Sequence, residues 1–172
     1  MSTRSYICKE NKDGTYTGIY CHSDGYLTYN GAMLLDHYNE REKVEKLIGL
    51  GDLSVLYPNI DPDPSRPHSF DERQNDVCVF YGRDRGETDT EAKEVDLKNL
   101  DEDIWIEYCY VYGKDDVWRY FENGHLKDGL KTVQEGLDKE YQMMGFKRPE
   151  NCYGFFTEED IKSLRSAEQS EM

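Results

Sequence analysis

The chain is 172 residues long, with 36 acidic against 21 basic side chains, a formal net charge of −15 and an aromatic content of 13%. That length suits one domain able to bury its own core, and the aromatic content excludes global disorder. The charge excludes generic DNA or RNA binding unless the few cations cluster, and it favours basic protein surfaces instead.

The elements follow in chain order. Segments Ser5–Lys12 and Thr15–His22 flank Asp13-Gly14, which predicts a hairpin on a two-residue turn. In that register Lys12 faces Thr15, Cys8 faces Ile19, Tyr6 faces Cys21 and Ser5 faces His22. The side carrying Cys8, Ile19, Tyr6 and Cys21 is then the buried one, and Ile7, Lys9, Tyr16, Tyr20 and His22 share the other.

Gly31–Tyr38 predicts a short helix. A second starts at Asn39, capped in a box with Glu42, with a Val44, Leu47 and Ile48 stripe, and it ends at Gly49 and Gly51. The four prolines between Pro58 and Asp76 predict an irregular loop. Val77–Tyr81 reads as a strand, followed by an acidic segment over 87–103 that is either a solvated loop or a partner-binding patch. Ile104–Tyr112 and Val117–Phe121 pattern as a second hairpin. Its first strand is apolar on both faces, as a strand covered on two sides must be.

Apolar positions from Leu126 to Met144 recur at helical spacing and predict one long amphipathic helix. A tail helix begins at Thr157, with fraying from 166 to 172. The expected fold class is α+β: a mostly antiparallel sheet with helices packed on it, in a single domain.

The five cysteines include no C-x-x-C pair, so neither a zinc cage nor a disulfide framework follows. The N-terminus carries no charged-then-apolar leader, and no apolar run reaches membrane-spanning length. These features predict a cytoplasmic protein with reduced thiols, no membrane contact, no metal and no cofactor.

Chemistry concentrates in two places. His22 and Asp24, in Tyr20-Cys21-His22-Ser23-Asp24-Gly25-Tyr26, place an imidazole and a carboxylate two residues apart. The pair suits general acid–base work, or Asp24-Gly25 forms an Asx-type turn while His22 bonds to backbone. Arg83, Asp84 and Arg85 follow a predicted strand. The arginines suit a phosphate or carboxylate, or they pair with the acidic run beside them. His68 could join a site with His22.

The stretches TRSYI (residues 3–7), YCHSDGY (20–26), LLDHYNEREKVEKLIGLGDLS (34–54), HSF (68–70) and YGRDRGE (81–87) resemble a widespread family of small phage, prophage and plasmid proteins of mostly unknown function. Some similar members are anti-CRISPR inhibitors of Cas9. The resemblance implies a functional surface at His22, Asp24, Tyr26, His68, Arg83, Asp84 and Arg85, and it stops at Glu87. Where such proteins carry an aromatic residue between the histidine and the aspartate, this chain has Ser23.

The resulting expectation is a mobile-element anti-defence protein of the bacterial cytoplasm. Its partner would be a basic surface such as Cas9 or its guide RNA complex. The alternatives are a metal-independent ribonuclease centred on His22 and Asp24 that shortens guide RNA, and a small-ligand module with no defence role.

Overall fold

The first hairpin sets the frame. Strands β1 (Ser5–Glu10) and β2 (Tyr16–Cys21) pair antiparallel, with Tyr6 opposite Tyr20, Ile7 opposite Ile19 and Cys8 opposite Gly18. Their turn is Lys12-Asp13-Gly14, closed by the Asn11 amide donating to the Thr15 carbonyl at 2.7 Å. Gly14 takes φ +87°, and the Asp13 carboxylate accepts from both the amide and the hydroxyl of Thr15. The loop thus has three residues rather than the expected two, which moves every cross-strand partner by one place and turns one strand over relative to the other. Ile7, Ile19 and Cys21 share the core face, while Tyr6, Cys8, Tyr16 and Tyr20 point the other way.

The computed structural model describes residues 2–149, 152–154 and 156–170. The remaining strands are β3 (Leu53–Val55), β4 (Val79–Phe80), β5 (Lys93–Val95), β6 (Tyr108–Tyr112), β7 (Trp118–Glu122) and β8 (Lys131–Thr132). They form one sheet in the order β4-β3-β2-β1-β6-β7-β8, with β5 also pairing with β2. The α+β class holds, but the sheet is mixed, because β1 runs parallel to β6 and β2 parallel to β3. Parallel pairs need long crossovers. The link from β2 to β3 is helical, through α1 (Ala32–His37) and α2 (Arg41–Gly49).

One face, called inner here, is covered by α1, α2 and α5 (Val133–Met144). Their Leu34, Val44, Leu47, Ile48, Leu137 and Tyr141 meet Ile7, Ile19, Leu53, Phe80, Tyr110 and Trp118 of the sheet. The outer face is covered only in part. There α4 (Leu97–Glu102) lays Leu97 and Leu100 over Cys8, Cys109, Val111 and Phe121. The 87–103 segment expected as a solvated loop therefore supplies a strand and a helix. Strand β6 is apolar on both sides, as predicted: Tyr110 and Tyr112 face inward, Cys109 and Val111 outward.

Several local expectations fail for identifiable reasons. Glu40, not Asn39, is the N-cap of α2, and the Asn39 amide is drawn back to the Asp36 carbonyl. The strand expected over 77–81 is only Val79–Phe80, and Tyr81–Arg85 turns into a short helix, α3. Ile104 and Trp105 lie in an exposed turn rather than in a strand, 77% and 66% accessible. The helix expected from Leu126 starts at Val133. Gly129 at φ +85° breaks the pattern, and Thr132 with Glu135 forms a capping box that fixes the true start. Residues 58–76 are irregular, as predicted, apart from a bridge between Asn59 and Val77. The tail helix, α6, spans Glu158–Ser170; residues 171–172 of the expected frayed end lie outside the described residues.

Candidate functional site

The corrected register decides what surrounds His22. Carried one residue past Ser5–Cys21, it sets Arg4 rather than Ser5 opposite His22. The next outward-facing row runs from β1 and β2 to the ends of β3 and β4. Tyr6 pairs with Tyr20, and the alignments Cys21–Leu53 and Leu53–Phe80 then place Asp52 beside Tyr20 and Tyr81 beside Asp52. Hydrogen bonds confirm the row: the Tyr20 amide donates to the Asp52 carboxylate at 2.9 Å, and the Tyr81 amide to the Asp52 carbonyl at 3.2 Å.

His22 lies with its Nδ1 2.7 Å from the Tyr20 hydroxyl and its ring 6.0 Å from the Tyr20 ring. Tyr20 in turn sits 6.1 Å from the Tyr6 ring. Burial pushes the Tyr6 hydroxyl up to about 12, helped by the Asp52 carboxylate. Burial raises Tyr20 as well, opposed by the nearby Arg4 guanidinium. Asp52 is raised by burial, and the Tyr20 amide and Lys93 hold it back.

Both ends of this row are extended by aromatic–guanidinium contacts. At one end the Arg4 guanidinium lies 5.3 Å from the Trp105 ring centre. The Trp105 turn is fixed: its amide donates to the Asp103 carboxylate, and the Asn123 side chain donates to the Asp101 and Asp103 carbonyls. At the other end Phe70 stacks on Tyr81 at 5.8 Å, and Arg73 and Arg85 both lie over Phe70, at 4.9 and 4.7 Å.

The remaining predicted residues divide by role. Asp24 has φ +55° and shares no hydrogen bond or ion pair with His22; it is a left-handed turn residue whose carbonyl accepts from the Asn30 amide. Tyr26 opens the π-helical turn Leu27–Gly31 with its ring edge-on to Tyr29. His68, Arg83 and Asp84 meet in a lock beneath the 58–76 loop. The His68 and Asp84 side chains are 1% and 3% accessible, with Nε2 3.4 Å from the carboxylate. The Gln74 amide donates to His68 Nδ1, so the ring hydrogen sits on Nε2, which donates to the Cys78 carbonyl at 3.1 Å.

Arg83 forks onto Asp84 at 2.9 and 3.1 Å and also donates to the Ile60 and Cys78 carbonyls. Every guanidinium nitrogen is used, which leaves none for a phosphate. Arg85 alone of the three faces solvent.

The structure thus brings His22 together with Arg4, Tyr6 and Tyr20, and connects Arg85 to the same surface through Phe70 and Tyr81. It separates both from the His68 lock. Arg4, Tyr6, Asp52, Phe70, Arg73 and Trp105 were not singled out from the sequence. For Arg4 and Tyr6 the signal is the turn length at Gly14, since only the three-residue loop puts Tyr6, Tyr20 and His22 on one side. Among the described residues no cluster of histidine, cysteine or carboxylates could hold a metal ion, and no helix is long and apolar enough to cross a membrane. No family model, curated protein or solved structure matches the chain.

Proposed function

We propose that this chain acts by binding rather than by catalysis, as a mobile-element anti-defence protein. Its target would be a basic effector that handles nucleic acid, and the Cas9–guide RNA complex is the first to test. The observation that carries the reading is the net charge of −15. Guide-RNA effectors have basic channels, and an acidic protein is steered to such a surface with an attraction that falls as salt rises. The resemblance of the first half to phage and plasmid proteins supports the same direction, and the action would take place in the bacterial cytoplasm.

The candidate catalytic groups favour binding. Asp24 is turned away into a backbone role, and the His68, Arg83 and Asp84 side chains are spent on one another. One observation favours a ribonuclease instead. His22 Nε2 makes no hydrogen bond to a described residue, and Arg4 stands opposite as a charge that could oppose a developing phosphorane.

A denaturing gel separates the two readings. Guide RNA, free and Cas9-bound, is incubated with protein below and at equimolar amounts, using wild type and His22→Ala. Binding predicts intact RNA in every lane, with target-DNA cleavage lost only near equimolar protein and restored by salt. RNA shortened by sub-stoichiometric wild type but not by His22→Ala would transfer the function to cleavage. Undiminished Cas9 activity with intact RNA would remove Cas9 as the target.

A further inference from the structure

We propose that the open half of the outer sheet face is a platform for single-stranded nucleic acid, on which bases stack against Tyr20, Tyr81 and Trp105 while phosphates meet Arg4, Arg73 and Arg85. This goes beyond the effector-binding reading and stands whether or not Cas9 is the target.

The first support is the distribution of arginine. Of the nine arginines, Arg41, Arg66, Arg83, Arg119 and Arg148 form ion pairs with carboxylates. Arg4, Arg73, Arg85 and Arg165 form none among the described residues; Arg165 donates to the Met144 carbonyl, and each of the other three lies over an aromatic ring of this one strip. In a chain with 36 acidic side chains, Arg73 and Arg85 over one Phe70 ring and Arg4 at the other end of the row are left without a carboxylate partner and open to an external anion.

The second support is the set of half-buried and exposed rings. Tyr6 and Tyr20 stand half-buried on the paired strands β1 and β2, Tyr81 opens α3 just past β4, and Trp105 is 66% accessible on a turn pinned by Asn123. Unpaired bases stack on open ring faces of this kind whatever their sequence. A duplex hides its base faces, so the fit is to a single strand.

Asp52 refines the fit. A carboxylate between Tyr20 and Tyr81 would repel a phosphate at that point. It can accept from an exocyclic amino group at a base edge, which cytosine, adenine and guanine carry and uracil lacks.

The test is fluorescence anisotropy of a labelled RNA of about ten nucleotides, a length within the usual footprint of such surfaces. The full-length chain would be titrated at about 50 mM salt, where phosphate contacts are strong. Mixed-sequence RNA should bind, more tightly than oligo-uridine and more tightly than a duplex of the same length. The affinity should fall with salt at a log–log slope of about −2, as expected for three phosphates on a single strand. Trp105→Ala and Arg85→Ala change exposed side chains and should keep the fold, which circular dichroism checks. Each should weaken binding about tenfold, while Lys147→Ala, away from the strip, should not.

Absence of single-strand binding, equal binding of the duplex, or indifference to Trp105→Ala would overturn the platform. So would strip variants that lose affinity for the Cas9–guide complex while free RNA is ignored, since the strip would then belong to a protein interface. Loss of Cas9 inhibition with oligonucleotide binding intact would instead overturn the effector reading alone.

Discussion

The Tyr20 hydroxyl and His22 Nδ1 lie 2.7 Å apart on neighbouring outward positions of one strand end, half-buried between Tyr6 and Arg4. A hydrogen bond of this kind contributes about 1 kcal/mol. Tyr20→Phe and His22→Ala should each lower the unfolding free energy by about that amount, and the double variant by little more than either alone. Urea titrations of the four proteins measure the coupling. Fully additive losses would mean that the two groups do not interact in solution.

The lock under the 58–76 loop makes a larger claim. Asp84 accepts from the Phe80 amide at 2.8 Å and from Arg83 twice, and His68 packs against it almost without solvent. Removing one member of a buried pair strands the others, at a cost of about 3 kcal/mol. Asp84→Ala should lose that much stability and expose residues 58–76 to limited proteolysis. The Arg66→Ala change, on an exposed ion pair, should do neither.

Two glycines separate conformational strain from collision. Gly14 takes φ +87° with open space around it, so Gly14→Ala should cost about 1 kcal/mol, and Gly14→Asn less. Gly51 takes φ +85°, and a Cβ there would run into the Thr90 carbonyl, which is itself bonded to the Asp52 amide. Gly51→Ala should therefore cost clearly more than Gly14→Ala in the same thermal or urea measurement.

Alkaline pH should unfold this protein through its tyrosines. Burial pushes Tyr6 and Tyr120 from 10.0 up to about 12. The folded state therefore holds these protons more tightly than the unfolded one does. Their contribution is fully present below a pH of about 10 and is lost as the pH rises toward about 12. Tyrosinate absorbance should appear together with loss of the far-ultraviolet signal. Full ionisation with the fold intact would contradict the burial.

How much of this was legible follows from the range of each signal. Val44, Leu47 and Ile48 at helical spacing mark α2, and the two apolar faces of Tyr108–Tyr112 mark a covered strand; both are local patterns that packing then used. The first hairpin was visible in outline, but Asp13-Gly14 is compatible with two loop lengths, and the choice flips a strand. The parallel partner of β1 lies about a hundred residues away, beyond any local pattern. For the site, His22 and Arg85 stood out by residue type and do lie on one surface. His68, Arg83 and Asp84 stood out equally and serve the loop instead, because type does not reveal whether a polar group is already satisfied. Trp105 was hidden inside a run that reads as strand, and only the turn made by Asp103 puts it in solvent.

The pairing of β1 with β6 also has a consequence for the order of events during synthesis. Strand β1 occupies the middle of the finished sheet, and one of its two neighbours arrives about a hundred residues later, with Tyr108–Tyr112. Until then the nascent hairpin has a bare edge along Ser5–Glu10, which can pair with another chain as readily as with its own. A topology so dependent on distant contacts closes slowly. The acidic side chains spread along the waiting chain then have a second use, keeping unfinished copies apart by mutual repulsion until β6 is made.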